Sequence, residues 1–129
     1  MSRTGTKEIK MFDWSQYFPY KEPRDQQKTA IEDILRTFKD KRFYALEAGT
    51  GVGKSAIGYT AARKLLEEIP PEGYEAGAIF VTTQKLLQDQ YEKDFRKFNM
   101  KSIKSSANYQ CRYKKHNTCA VGQAELRTV

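Results

Sequence analysis

The chain has 129 residues, of which 39% are hydrophobic, 12% aromatic and 30% charged, with a formal net charge of +7. That length fits about one domain. The charged fraction and the lack of any apolar run near the ~20 residues of a membrane-spanning helix argue against a membrane protein, and the polar N-terminus is not expected to be a signal peptide. The charge is unevenly placed. Residues 1–92 hold 14 basic and 14 acidic side chains, whereas residues 93–129 hold nine basic ones against Asp94 and Glu125. Such a segment suits a polyphosphate partner, nucleic acid being the commonest; a solvated basic tail is the alternative. Two cysteines without a secretory signal point to a reducing compartment, cytoplasmic (nucleoid-associated) or nuclear. They also point to a metal or free thiols before a disulfide.

In chain order, the first ten residues are polar and expected to be loose. An aromatic cluster follows (Phe12, Trp14, Tyr17, Phe18 and Tyr20), broken by Pro19 and closed by Pro23; its rings are expected to pack the start of the chain onto the core. From Arg24 to about Lys39, Ile31, Ile34, Leu35 and Phe38 follow helical spacing. Asp40 and Lys41 turn the chain into an apolar run, Phe43-Tyr44-Ala45-Leu46, expected as a strand. Ser55 to Ile69 reads as a second helix with Ile57, Ala61, Leu65 and Leu66 on one face, stopped by Pro70-Pro71. Residues 72–77 read as loop, and Ala78 to Thr82 as a strand buried on both faces of a parallel sheet. Thr83 is expected to cap a third helix to about Phe98, with Leu87, Tyr91, Phe95 and Phe98 at helical spacing. After Asn99 the periodicity fades. Strands alternating with helices predict an α/β fold, a parallel sheet with flanking helices, incomplete and followed by an irregular, basic, Cys-containing segment.

The chemistry is concentrated at Ala48-Gly49-Thr50-Gly51-Val52-Gly53-Lys54-Ser55, between an expected strand and an expected helix, the context of a phosphate-binding P-loop. Glycines let successive backbone N–H groups face inward, and the helix that follows adds the positive end of its dipole. Lys54 is then expected to reach the β- and γ-phosphates of ATP, and Ser55 to hold Mg²⁺ through its hydroxyl. Ala48 stands where the strict pattern has Gly. A Gly-rich turn that binds nothing is the alternative.

Two further positions join this site. A Gln amide can pair with adenine as donor and acceptor, which makes Gln27 the candidate base reader, with Arg24 a neighbour; an ordinary solvated Gln is the alternative. Thr82, Thr83 and Gln84 join a strand end to a helix start, where N–H groups and hydroxyls suit a nucleic-acid phosphate; a simple capping turn explains Thr83 equally well.

The order aromatic-Pro-Tyr, Arg-x-x-Gln, Glu-Ala-Gly-Thr-Gly-Val-Gly-Lys-Ser, then Val-Thr-Thr followed by Gln-x-Leu resembles superfamily 2 DNA helicases, most closely the DinG/XPD type. The resemblance runs from about Tyr17 to Cys111. It implies a RecA-like P-loop NTPase fold. It also implies that Gln27 reads adenine, that Lys54 and Ser55 hold the phosphates and Mg²⁺, and that Thr82 to Gln84 touch single-stranded DNA. Ser106 to Cys111 is similar to the Asn-Tyr-x-Cys segment opening the iron–sulfur region of those helicases. By that resemblance Cys111 is the first ligand of a [4Fe–4S] cluster and Cys119 a candidate second, although a four-Cys cluster needs two more thiolates. His116 between them allows a Cys-x₄-His-x₂-Cys zinc arrangement, but three ligands do not close a structural zinc shell.

No Asp-Glu-x-His box supplies an acid for Mg²⁺ and the attacking water. The expected organisation is a loose lead over 1–16, the first half of a helicase ATP-binding domain over 17–100, and a basic segment over 101–129. On this reading the chain is the N-terminal part of an ATP-dependent DNA helicase, a fragment that requires a C-terminal motor region for activity. Another P-loop NTPase or kinase, or a non-catalytic DNA-binding module with a relic nucleotide site, are the rival readings.

Overall fold

The computed structural model describes residues 13–70, 72, 75–112 and 118–127. Most of the loose lead, Phe12, Pro71, Lys114, Lys115 and His116 lie outside the described residues. Contacts divide the chain into two units, one through Val81 and the other from Thr82.

In the first unit, helix α1 spans Asp25–Thr37. Pro23 and an extended Arg24 (φ −72°, ψ 157°) precede it, and Asp25 in its first turn and Arg36 in its last complement the helix dipole. Its buried residues, Gln27, Ile31, Ile34 and Leu35, recur at the spacing that puts them on one face. Helix α2 spans Lys54–Leu66 and buries Ala56, Ile57, Tyr59, Thr60 and Ala61. Thr60 is fully buried, and its hydroxyl donates to the Ala56 carbonyl at 2.7 Å, so the polar atom is satisfied within the helix. Trp14, Ile31, Ile34, Leu35, Ile57 and Ala61 form the core, with Phe18, Phe38, Tyr44, Val52 and Leu65 packed against it. A short 3₁₀ turn, Ser15–Tyr17, lies against α2. There Arg63 sits over the Tyr17 ring at 5.4 Å, and the Glu67 carboxylate accepts from the Tyr17 hydroxyl, Gln16 and Lys64.

The expected parallel sheet is not seen. Among the described residues there is no strand, only an isolated antiparallel bridge between Gln110 and Thr118. The two runs expected as strands, Phe43 to Leu46 and Ala78 to Thr82, carry no ladder, and Phe43, Ile79 and Val81 are 88%, 91% and 89% exposed. The physical reason is that an apolar run encodes a preference for burial, whereas a strand exists only when its N–H and C=O groups meet another strand. Neither run has such a partner here. The α/β class with a P-loop sheet is therefore corrected to a helical arrangement.

In the second unit, α3 spans Lys85–Phe95 and continues as a 3₁₀ turn, Arg96–Phe98. Asn99 then ends it in the left-handed region (φ 67°). Phe95 is fully buried and stacks on Tyr91 at 6.3 Å. Gln88 donates to the Ile103 carbonyl at 2.6 Å, and Lys104 pairs with Asp89, a hydrogen bond that chiefly raises the Lys104 pKa above its ordinary value. The segment expected to be irregular ends in a helix, α4, Cys119–Arg127. Gly122 on α4 is required by packing, since a Cβ there would lie 2.6 Å from the Cys111 sulfur. Gly122→Ala is accordingly expected to destabilise the protein by about 1–3 kcal/mol, the usual cost of overpacking, despite alanine's better helix propensity. Chemical denaturation measures this, and a neutral or stabilising effect would contradict the packing.

Candidate nucleotide-phosphate site

The loop at Ala48–Ser55 reaches the N-terminus of α2 through two glycines in the left-handed region, Gly51 and Gly53, both at φ 83°. Side chains other than glycine seldom adopt that conformation. Gly53 is the N-cap of α2, and Lys54 and Ser55 begin its first turn. The first N–H groups of a helix have no partner within it, so they present donors and a positive dipole end to whatever lies there. A Cβ at Gly49 or Gly51 would meet nothing within 4 Å, so the surface of the loop is open. Val52, between Gly51 and Gly53, packs against the core and anchors the loop. Lys54 is exposed, and none of the ion pairs among the described residues includes it.

These residues fit a nucleotide triphosphate and its Mg²⁺. The loop would donate N–H groups, Lys54 would supply a positive charge, and the Ser55 hydroxyl would be an oxygen ligand of the kind such a metal takes. The metal would neutralise phosphate charge.

Arg24 and Gln27 are brought directly onto this loop. The Gln27 Oε1 accepts the Arg24 backbone N–H at 3.0 Å, half of a capping box at the start of α1. Its Nε2 donates to the Gly53 carbonyl at 3.3 Å, an oxygen that also accepts the Ile57 N–H at 3.3 Å. The Arg24 Nη1 donates to the Gly51 carbonyl at 2.5 Å. Gln27 is only 5% exposed. Tyr20, by contrast, is 54% exposed, edge-on to Phe18 at 6.1 Å.

Thr82, Thr83 and Gln84 lie at the start of the second unit. Gln84 is the N-cap of α3, and the cap-like contact comes from Thr82, whose hydroxyl accepts the Gln84 N–H at 3.4 Å, where Thr83 was the expected cap.

The cysteines do not fit a [4Fe–4S] cluster. Cys111 is a buried free thiol beside Gly122, and Cys119 is a free thiol in the first turn of α4. Among the described residues no group of three or more His, Cys, Asp or Glu side chains could hold a metal ion. A cluster needs four ligands of that kind, so the described residues give the iron–sulfur expectation no support. Tyr109, the Tyr of the Asn-Tyr-x-Cys segment, has a structural part that the resemblance did not mark: its hydroxyl accepts the Lys104 N–H at 2.8 Å and its carbonyl accepts the Cys119 N–H at 2.7 Å.

The glycine loop thus opens a helix, with the exposed Lys54 at its start. Residues 20–125 match the family described as Type III restriction enzyme, res subunit. The chain belongs to that family, and it is a helicase-like superfamily 2 N-terminal domain. The match implies ATP and Mg²⁺ use, nucleic-acid binding and ATP-dependent helicase- or nuclease-like activity in general. Neither curated proteins nor solved structures gave a match. Among the described residues no helix is long and apolar enough to cross a membrane.

Proposed function

We propose that this chain binds Mg-ATP at Ala48–Ser55 and serves as the nucleotide-binding part of an ATP-dependent DNA helicase. In such an enzyme ATP hydrolysis drives translocation on single-stranded DNA. The observation that carries the reading is the loop itself: two left-handed glycines deliver Lys54 and Ser55 to the first turn of α2. Backbone N–H groups and the Lys54 ammonium hold the phosphates, and the Ser55 hydroxyl offers a ligand to the metal. The motif order through Thr82–Gln84 supports the DinG/XPD type and a single-stranded DNA contact at those three residues.

DNA binding separates this reading from a small-molecule kinase. A fluorescent single-stranded oligonucleotide titrated with the 129-residue chain is expected to bind, with an affinity that falls as salt rises because Lys and Arg release counterions. Absent or salt-independent binding would favour the kinase. Equal binding with and without Mg-ATP would favour a DNA-binding module with a relic nucleotide site.

A further inference from the structure

We propose that the C-terminal end of α3 is a contact site for single-stranded nucleic acid, separate from Thr82–Gln84 at the other end of the same helix. The site rests on the nucleic-acid reading above only for the class of partner. Lys93, Arg96, Lys97 and Lys101 are all exposed, and none of the ion pairs among the described residues includes them. Lys93 stands three and four residues before Arg96 and Lys97, the spacing that puts helical side chains on one face. The turn after α3 brings Lys101 back toward them. Asn99 is left-handed at φ 67°, its N–H donates to the Arg96 carbonyl at 3.0 Å, and the Met100 N–H donates to the Phe95 carbonyl at 3.3 Å. That pair of bonds is a Schellman closure, which reverses the chain against the helix end. With α3 eleven residues long, this end stands about 16 Å from Gln84.

A solvated basic helix end is the ordinary alternative, since cations there complement the helix dipole. Two features argue against it. The Phe95 and Arg96 carbonyls that such cations would serve already accept the Met100 and Asn99 N–H groups. A dipole equivalent to about half a charge also needs one cation, whereas four crowd together here with only Asp94 among them. Like charges three or four residues apart on a helix repel. Lys104, by contrast, is paired with Asp89. A polyanion would remove that repulsion, and the Phe98 ring points to which one. It is 36% exposed among the cations, with the Lys97 ammonium 4.9 Å from its centre. Unpaired strands are held by bases stacking on aromatic rings beside phosphate-binding cations, whereas an acidic polypeptide has no base to stack.

The test is fluorescence anisotropy of a labelled oligothymidylate with the 129-residue chain across a salt series. Lys93→Gln with Lys97→Gln, and separately Arg96→Gln with Lys101→Gln, are each expected to weaken binding about tenfold. Each pair should also flatten the slope of log K against log salt by about 1.4, because each phosphate contact on a single strand contributes about 0.7. Phe98→Leu, which keeps an apolar side chain, is expected to cost about fivefold or more with the slope unchanged. The control, Lys41→Gln with Arg42→Gln, removes two exposed cations of the first unit that form none of the ion pairs found among the described residues. It is expected to leave affinity within about twofold, since exposed charges away from the strand are screened. Equal losses from the control and the α3 pairs would overturn the site in favour of net charge alone. Silent α3 pairs or a silent Phe98→Leu would overturn it too. So would displacement by polyglutamate as effective as by unlabelled oligonucleotide, which would assign the patch to an acidic polypeptide. Thermal midpoints check folding; if an α3 pair fails to fold, Lys101→Gln decides alone, with a slope change of about 0.7. Thr83→Ala separates this site from the strand contact at Thr82–Gln84. A loss there with silent α3 pairs removes only the new site, and a loss at α3 with silent Thr83→Ala removes only the earlier contact.

Discussion

Replacing Lys54 by alanine is expected to weaken Mg-ATP binding by about ten- to a hundredfold, the range for losing a charged hydrogen-bonding partner. The fold should survive the change. Lys54 is exposed and forms none of the ion pairs found among the described residues. Alanine is also the best helix former at the first turn of α2. Isothermal titration reads the affinity and thermal unfolding reads the fold. An unchanged affinity would mean that the phosphates bind elsewhere or not at all. A lower thermal midpoint would mean that Lys54 carries a structural role that its exposure gives no reason to expect.

Replacing Gly53 by alanine is expected to damage stability and binding together. Gly53 sits at φ 83°, ψ 48°, a left-handed conformation that costs a non-glycine residue about 1–2 kcal/mol. A Cβ there would fall inside van der Waals contact of the Gln27 Nε2. Gln27 cannot easily yield, because its carboxamide is held by Arg24 on one side and by the Gly53 carbonyl on the other. Overpacking of that kind adds about 1–3 kcal/mol. Gly51 has the same φ, yet a Cβ there would meet nothing within 4 Å. Gly51→Ala should therefore show the backbone cost alone, about 1–2 kcal/mol. Denaturant unfolding of both variants separates the two contributions, and equal costs would contradict the packing of Gln27 against Gly53.

The helices of the first unit were legible because their pattern is local. Ile31, Ile34 and Leu35 on α1, and Ile57 and Ala61 on α2, stand at the spacing that one buried face requires, and all five lie in the core. The glycine loop that enters α2 was legible for a similar reason, since Gly51, Gly53, Lys54 and Ser55 stand in one short run. The sheet was misread because strand pairing is not local: Phe43 to Leu46 and Ala78 to Thr82 have strand-like content, but nothing within either run specifies a partner. Helix α4 was missed because Gly122 stands inside it and the apolar period is weak. That glycine makes room for the Cys111 sulfur, a contact eleven residues away in sequence. The cluster assigned to Cys111 and Cys119 came from resemblance rather than from a ligand set, and the structure supplies no such set among the described residues. What Arg24 touches was equally out of reach, because the Gly51 carbonyl meets it only once α1 and α2 have packed.

The most direct measurement is a backbone amide NMR titration of the ¹⁵N-labelled chain with Mg-ATP. Saturable shifts are expected at Gly49, Gly51, Val52, Gly53, Lys54 and Ser55, with the Val52 and Lys54 amides moving downfield as they donate to phosphate, and Lys54→Ala should suppress them. Shifts that cluster elsewhere on the chain, or none at these amides at saturating nucleotide, would contradict the assignment of the phosphate site to this loop.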